Sequence, residues 1–171
     1  MLWRLRRAGE GDVARLSLVA GATFLEAFAG VLDGDDIVAH VRDQSGPGAF
    51  TRYLAAGAIA TLAEAVEGDA PLGYTLLTAP DLPIEPRAGD VELKRIYALF
   101  PTHGSGLGPA LMARAVRDAR AAGHRRMLLG VYGGNARAQR FYVKQGFAVV
   151  GTRRFRVGAT WHDDLIFARE C

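Results

Sequence analysis

Three glycines at alternate positions, Gly104, Gly106 and Gly108, stand between a strand-like run and a helix-like run, and nothing else in the chain limits its fold so strongly. The run before them, Val91 to Leu99, reads as a buried strand. After them, Pro109 suits the first turn of a helix, where its missing N–H has no intrahelical partner to lose. Leu111, Met112, Ala115, Val116 and Ala119 then share one helical face, and Gly123 stands where a helix C-terminus favours glycine. A loop in this setting offers successive backbone N–H groups and the positive end of a helix, which is chemistry for phosphate. Glycine also lets a ligand approach the main chain with no Cβ in the way. A merely tight turn is the alternative reading of the same residues.

Spacing excludes two phosphate loops. A dinucleotide fingerprint G-x-G-x-x-G begun at Gly104 needs glycine at position 109, which is Pro109. A P-loop needs Gly-Lys-Ser/Thr after its spacer, and the chain has no such triplet.

The remaining segments alternate strands and helices. Leu2 to Arg7 alternates apolar and basic residues, as a half-buried edge strand does, and Asp12 is expected to cap a helix from Val13 to Val31. Shorter helices are expected over Asp36–Asp43 and Phe50–Ala56. Ala58 to Val66 is ambiguous between strand and helix, with Glu67-Gly68-Asp69 favouring a hairpin. Gly73 to Thr78, Arg126 to Tyr132, Phe147 to Val157 and Thr160 to Ala168 read as strands, and Asn135 to Gly146 as a helix capped by Asn135. This order gives an α/β fold with a mixed sheet.

With 171 residues, half of them apolar, the chain is expected to be one domain, 1–171. The only cysteine, Cys171, excludes an intrachain disulfide and fits a reducing, cytoplasmic setting. The basic start, Met1 to Arg7, leads into no apolar run, and the stretch Val13 to Leu32 is interrupted by Arg15 and Glu26, so a soluble protein without signal peptide or membrane span is expected. His40, His124 and His162 have no partner at metal-ligand spacing, and no metal is expected. Residues 1–90 hold 7 Lys/Arg against 13 Asp/Glu, and residues 91–171 hold 14 against 5. A basic half suits an anionic partner and an acidic half a cationic one; without any zinc module, helix-turn-helix or stacking platform, nucleic acid is not that partner.

The loop His103-Gly104-Ser105-Gly106-Leu107-Gly108 resembles the Q/R-x-x-G-x-G/A motif of the GNAT superfamily, with His103 where that motif has Gln or Arg. The likeness extends through Glu92-Leu-Lys-Arg-Ile-Tyr-Ala-Leu before the loop, Leu129-Gly-Val-Tyr-Gly-Gly-Asn-Ala-Arg-Ala after its helix, and Phe141-Tyr-Val-Lys-Gln-Gly-Phe beyond. Among its branches, the block from Glu92 onward is most similar to the bacterial Pai-type polyamine N-acetyltransferases, and Thr23-Phe24-Leu-Glu-Ala-Phe28 is similar to their N-terminal helix. Gly133-Gly134 departs from that branch, which has larger residues there.

The resemblance implies the GNAT fold, a central mixed, mostly antiparallel sheet of about seven strands flanked by about four helices. It implies an N-acetyltransferase that moves acetyl from acetyl-CoA to a primary amine by direct attack, without metal. Main-chain groups of Ile96, Tyr97, Ala98 and Leu99 would pair with the pantetheine arm, and residues 103–108 would hold the pyrophosphate. Asn135, Arg137, Arg140 and Lys144 would add cofactor contacts; Asn135 is a helix cap in either reading, and the three cations are otherwise an exposed stripe. Tyr142 would protonate the leaving thiolate, or else only pack over the cofactor. Glu92 would be the base, or else a carboxylate paired with Lys94 or Arg95. Phe24, Glu26 and Phe28, with Asp33, Asp35 and Asp36, would line an acceptor site suited to a polyamine or other cationic amine. The alternative is a CoA-binding sensor of the same fold without catalysis. Homodimerisation is left open.

Overall fold

The structure is a computed structural model that describes residues 1–171. One sheet holds seven strands, β1 (Trp3–Ala8), β2 (Ile59–Ala65), β3 (Pro71–Thr78), β4 (Asp90–Ala98), β5 (Arg126–Tyr132), β6 (Ala148–Val157) and β7 (Thr160–Glu170), in the order β1-β2-β3-β4-β5-β7-β6. Only β4 and β5 pair in parallel. Helices α1 (Val13–Phe28), α2 (Gly34–His40) and α3 (Pro47–Ala55) cover one face, and α4 (Leu107–Ala121) and α5 (Ala136–Lys144) the other.

Helical spacing in α1 brings Leu16, Val19 and Ala20 together, and these pack with Phe50 of α3 onto Tyr74 and Leu76 of β3. On the opposite face Met112, Ala115 and Ala119 of α4 pack with Leu93, Met127, Leu129 and Phe167. The ambiguous run at 58–66 becomes β2, because it finds a strand on each side, β1 and β3, which a helix there could not use.

Helix boundaries differ from the sequence expectation at several points, and α2, expected over Asp36–Asp43, runs from Gly34 to His40. Helix α1 ends at Phe28, three residues before Val31. Asp12 does not cap it: its carboxylate instead accepts from Arg6 Nη1 and Nη2 at 2.8 and 2.6 Å and from Gly9 N at 3.0 Å. A charge-assisted fork outcompetes a single cap bond, and Arg6 holds the Asp12 carboxyl down to about 2. Helix α3 starts at Pro47, ahead of the expected Phe50, with the proline in its first turn. Between α2 and α3 a wide π-helical turn, Val41–Ser45, turns the chain toward β4.

The β4–β5 ladder decides where a ligand can sit. It covers only Asp90 to Glu92 against Arg126 to Leu128, while β4 runs on to Ala98 and β5 to Tyr132, leaving a V-shaped gap in the sheet. The closed end is clamped by a buried ion pair, Arg126 Nε and Nη2 on Asp90 Oδ1 and Oδ2 at 2.7 and 2.6 Å. Just past it, the β3–β4 register slips at Lys94: Leu76 faces Arg95, but Leu77 faces Leu93. That extra residue is a β-bulge, which bends β4 away from β5 and opens the V.

Candidate active site

The V is the floor of a cleft of about 640 Å³ that passes from the α4–α5 face to the α1 face. Its walls come from β4 (Leu93 to Ala98), the loop before α4, the end of β5 with the turn after it, and one side each of α1 and α5.

The glycine loop forms one end. Gly104 and Gly106 have φ of +84°, a region in which an L side chain is strained, and a Cβ on either would meet open space instead of protein. The loop's hydrogen bonds are few: His103 N donates to Phe100 O, Ser105 N to Thr102 O, and Ala110 N to Gly106 O. The N–H groups of Gly104, Gly106, Leu107 and Gly108 have no partner in the chain, and Pro109 has none to place. Four free donors at the start of a 15-residue helix form a concave cradle for an anion. Leu107 itself is 1% exposed and anchors the loop in the core with Leu111.

His103 ties the loop to both walls. Its Nε2 lies 3.1 Å from Ala98 O and its Nδ1 2.9 Å from Arg137 Nη2. A carbonyl only accepts and a guanidinium only donates, so the ring is the tautomer with its proton on Nε2. Arg137, in the first turn of α5, is thereby held across the mouth of the cleft. Of the three cations on α5, it alone lines the cleft; Arg140 and Lys144 point to solvent.

Asn135 caps α5, its Oδ1 accepting from Ala138 N at 3.0 Å, and also lines the cleft. The preceding Gly133-Gly134 has a steric reason. A Cβ on Gly133 would lie 2.5 Å from Asp163 O, and one on Gly134 would lie 2.7 Å from the Tyr132 ring, which folds back into the cleft wall.

Tyr142 stands on the inner wall, packed against Phe141, Phe147 and Phe167 at ring separations of 5.4, 5.8 and 6.0 Å. Its hydroxyl has no hydrogen-bond partner in the chain, and burial raises its pKa above the ordinary phenol value. Ile96, Tyr97, Ala98 and Phe28 line the cleft as well. Leu99 and Ser105 flank it without lining it.

Other expected site residues are engaged elsewhere. Glu92 lies at the closed end of the V, outside the cleft lining: its Oε2 accepts from Asp81 N at 2.7 Å, and Lys94 Nζ is 3.8 Å from its Oε1. Phe24 is buried behind the wall, stacked on His40 at 4.1 Å. Glu26 accepts from Phe100 N at 2.9 Å, Asp33 caps α2, and the buried Asp36 accepts from Ala159 N and Thr160 Oγ1 at 2.8 and 2.7 Å. No Asp or Glu of the acidic N-terminal half lines the cleft, and Glu26, Asp33 and Asp36 are held by backbone N–H groups and the Thr160 hydroxyl. The sequence reading did not single out Arg95, Tyr132 and Phe141, all of which line the cleft. A signal for Arg95 was available: a charge inside an otherwise buried strand needs a special environment. No three His, Cys, Asp or Glu side chains gather as a metal site, and no helix is long and apolar enough to cross a membrane.

A splayed parallel pair, an anion cradle at a helix start and a phenol on the inner wall define the acyl-CoA-type N-acyltransferase class. The chain belongs to the Acetyltransferase (GNAT) family, whose model matches residues 25–147, and is an acetyl-CoA-dependent N-acetyltransferase. It is 36% identical over 159 residues to uncharacterized N-acetyltransferases of Mycobacterium tuberculosis and Mycobacterium bovis, a match spanning 93% of this chain and 97% of theirs. Its fold is similar to that of the PaiA N-acetyltransferase of Thermoplasma acidophilum, solved with coenzyme A, at TM-score 0.81 and 20% identity over 100% of both chains. It is also similar to YncA of Salmonella typhimurium, solved with its cofactor acetyl-CoA, at TM-score 0.67 and 20% identity over 99% of this chain and 94% of that one.

Proposed function

We propose that the protein binds acetyl-CoA along the β4–β5 cleft and transfers its acetyl group directly to the primary amine of a small acceptor. The observation that carries this is the set of four unpartnered N–H groups at Gly104, Gly106, Leu107 and Gly108, opening onto a cleft whose inner wall holds Tyr142. In this reading the cradle takes the pyrophosphate, and Arg137, steadied by His103, supplies a cation to the phosphates. The β5-facing edge of β4, unpaired beyond Glu92, receives the pantetheine amides along Ile96 to Leu99. The donor supplies the thioester carbonyl that a neutral amine attacks.

Tyr142 then donates its proton to the departing thiolate. A phenol is protonated at neutral pH, as an acid must be, and burial shifts Tyr142 further in that direction. Glu92 holds the loop at Asp81 through Oε2, so the attacking amine loses its proton to water in the open cleft and not to Glu92.

A panel of amines assayed for free CoA release tests the reading. Turnover of at least one primary amine, with an N-acetyl product by mass spectrometry, is expected. Tight acetyl-CoA binding with no turnover of any amine would instead favour the sensor reading. The polyamine acceptor suggested by the resemblance belongs in the same panel, although no Asp or Glu lines the cleft to receive a polycation.

A further inference from the structure

The charged residues of the cleft lining are Lys94, Arg95 and Arg137, joined by His103, and none is acidic. Arg137 and His103 lie at the cradle end. Lys94 and Arg95 lie at the bulge, where β4 alternation is broken, and both residues belong to the cleft lining. Arg95 extends toward the α1–α3 face. Its Nη2 donates to Gln44 O at 2.6 Å and to Tyr53 Oη at 3.4 Å, its Nη1 to Ser45 Oγ at 3.4 Å, and its carbon lies over the Phe50 and Tyr53 rings.

Arg95 is 9% exposed and makes no ion pair with any carboxylate, and its Nε donates to nothing in the chain. Buried cations are normally paired, since desolvation is costly without a counter-charge. The contrast within the same strand is Asp90, whose carboxylate has its guanidinium in bidentate contact.

The neighbouring groups do not supply the missing charge. Glu92 serves Asp81 N and Lys94, and Glu26 serves Phe100 N at the rim. Asp43 is paired with Arg42 at 2.7 Å. Asp164, the cross-strand neighbour of Tyr132, meets Arg153 at 3.4 Å through Oδ2 while its buried Oδ1 has no partner, and it lies outside the cleft lining and makes no ion pair with Arg95. His40 is held neutral by burial and by the field of Arg95, which lower its pKa to about 4.

We infer that the acceptor is an amine that also carries a carboxylate, an amino-acid-type substrate, and that Arg95 binds that carboxylate on the α1–α3 side of the cleft. This rests on the acetyltransferase reading above and names the substrate class for it. A polyamine would bring a second cation against Lys94 and Arg95, with no carboxylate in the lining to offset it.

The test is CoA release with the twenty L-amino acids, their carboxamides and spermidine, alongside calorimetric acetyl-CoA binding. At least one free amino acid is expected to exceed both its own carboxamide and spermidine by about 100-fold in kcat/KM, the scale of a desolvated charge-assisted pair. In Arg95→Met that acid-to-amide ratio falls toward one, while Arg95→Lys, which keeps the charge and loses the fork, retains part of it. Acetyl-CoA affinity stays within twofold in both variants. Equal use of acid and amide by the wild type, or faster use of spermidine, overturns the inference and leaves the acetyltransferase reading standing. Absence of acetyl-CoA binding, or of turnover with every amine, overturns both. The wild-type comparison needs no variant, so a poorly folding Arg95→Met does not spare the inference.

Discussion

Replacing Tyr142 by Phe removes one oxygen from the cleft wall and nothing from the core. The three aromatic contacts of Tyr142 are made by its ring, and its hydroxyl has no partner in the chain to orphan. Stability should therefore change by no more than about 1 kcal/mol, a shift of about 2–4 °C in Tm for a chain of this size. The rate should change far more. A positioned acid contributes about 10²- to 10⁴-fold, or about 3–5 kcal/mol of transition-state stabilisation. Because the thiolate forms only as the bond breaks, the loss belongs in kcat, with the KM for acetyl-CoA within twofold of wild type. The assay is CoA release under saturating acetyl-CoA, paired with thermal unfolding of the same preparation. A kcat within threefold of wild type in a normally folded Tyr142→Phe would refute the assignment, and Tyr142 would then be a packing residue over the cofactor.

Arg126→Met strands the buried Asp90 carboxylate at the closed end of the V and should cost about 3–5 kcal/mol in denaturant unfolding, whereas loss of an exposed ion pair would cost under about 1 kcal/mol. His40 has its folded pKa lowered from 6.5 to about 4 by burial, so the unfolded chain takes up a proton that the folded chain refuses as pH falls between those values. Stability is lost across that window, on the order of 3 kcal/mol at its lower end, and His40→Phe should show a shallower acid limb in unfolding at pH 7 and pH 4.5. Arg137→Ala and His103→Ala should each weaken acetyl-CoA binding, and the double variant should be no weaker than Arg137→Ala alone, because His103 acts through Arg137; additive losses in calorimetry would separate the two.

Much of this architecture was legible because it is local. Three glycines and Pro109 specify a loop before a helix, the alternation at Leu2 to Arg7 specifies an edge strand, and Asn135 caps α5 as a cap residue should. What escaped the sequence depends on register or on distant partners. The bulge at Lys94 shifts the register of β4 against β3, no local pattern marks it, and Glu92 rests on likeness alone. The carboxylates of Glu26, Asp33 and Asp36 looked like an acidic surface because their backbone partners lie in other elements or in a cap that forms only on folding; Asp36 binds residues more than 120 positions away. Position alone marks Asp12 as a cap, and the competing Arg6 comes from the neighbouring strand.

A crystal structure with coenzyme A tests the central claim most directly. The account predicts pyrophosphate oxygens about 3 Å from the N–H groups of Gly104, Gly106, Leu107 and Gly108, the pantetheine arm along β4 beyond Glu92, and the sulfur within hydrogen-bond reach of the Tyr142 hydroxyl. A pyrophosphate bound away from that loop, or a sulfur out of reach of Tyr142, would contradict it.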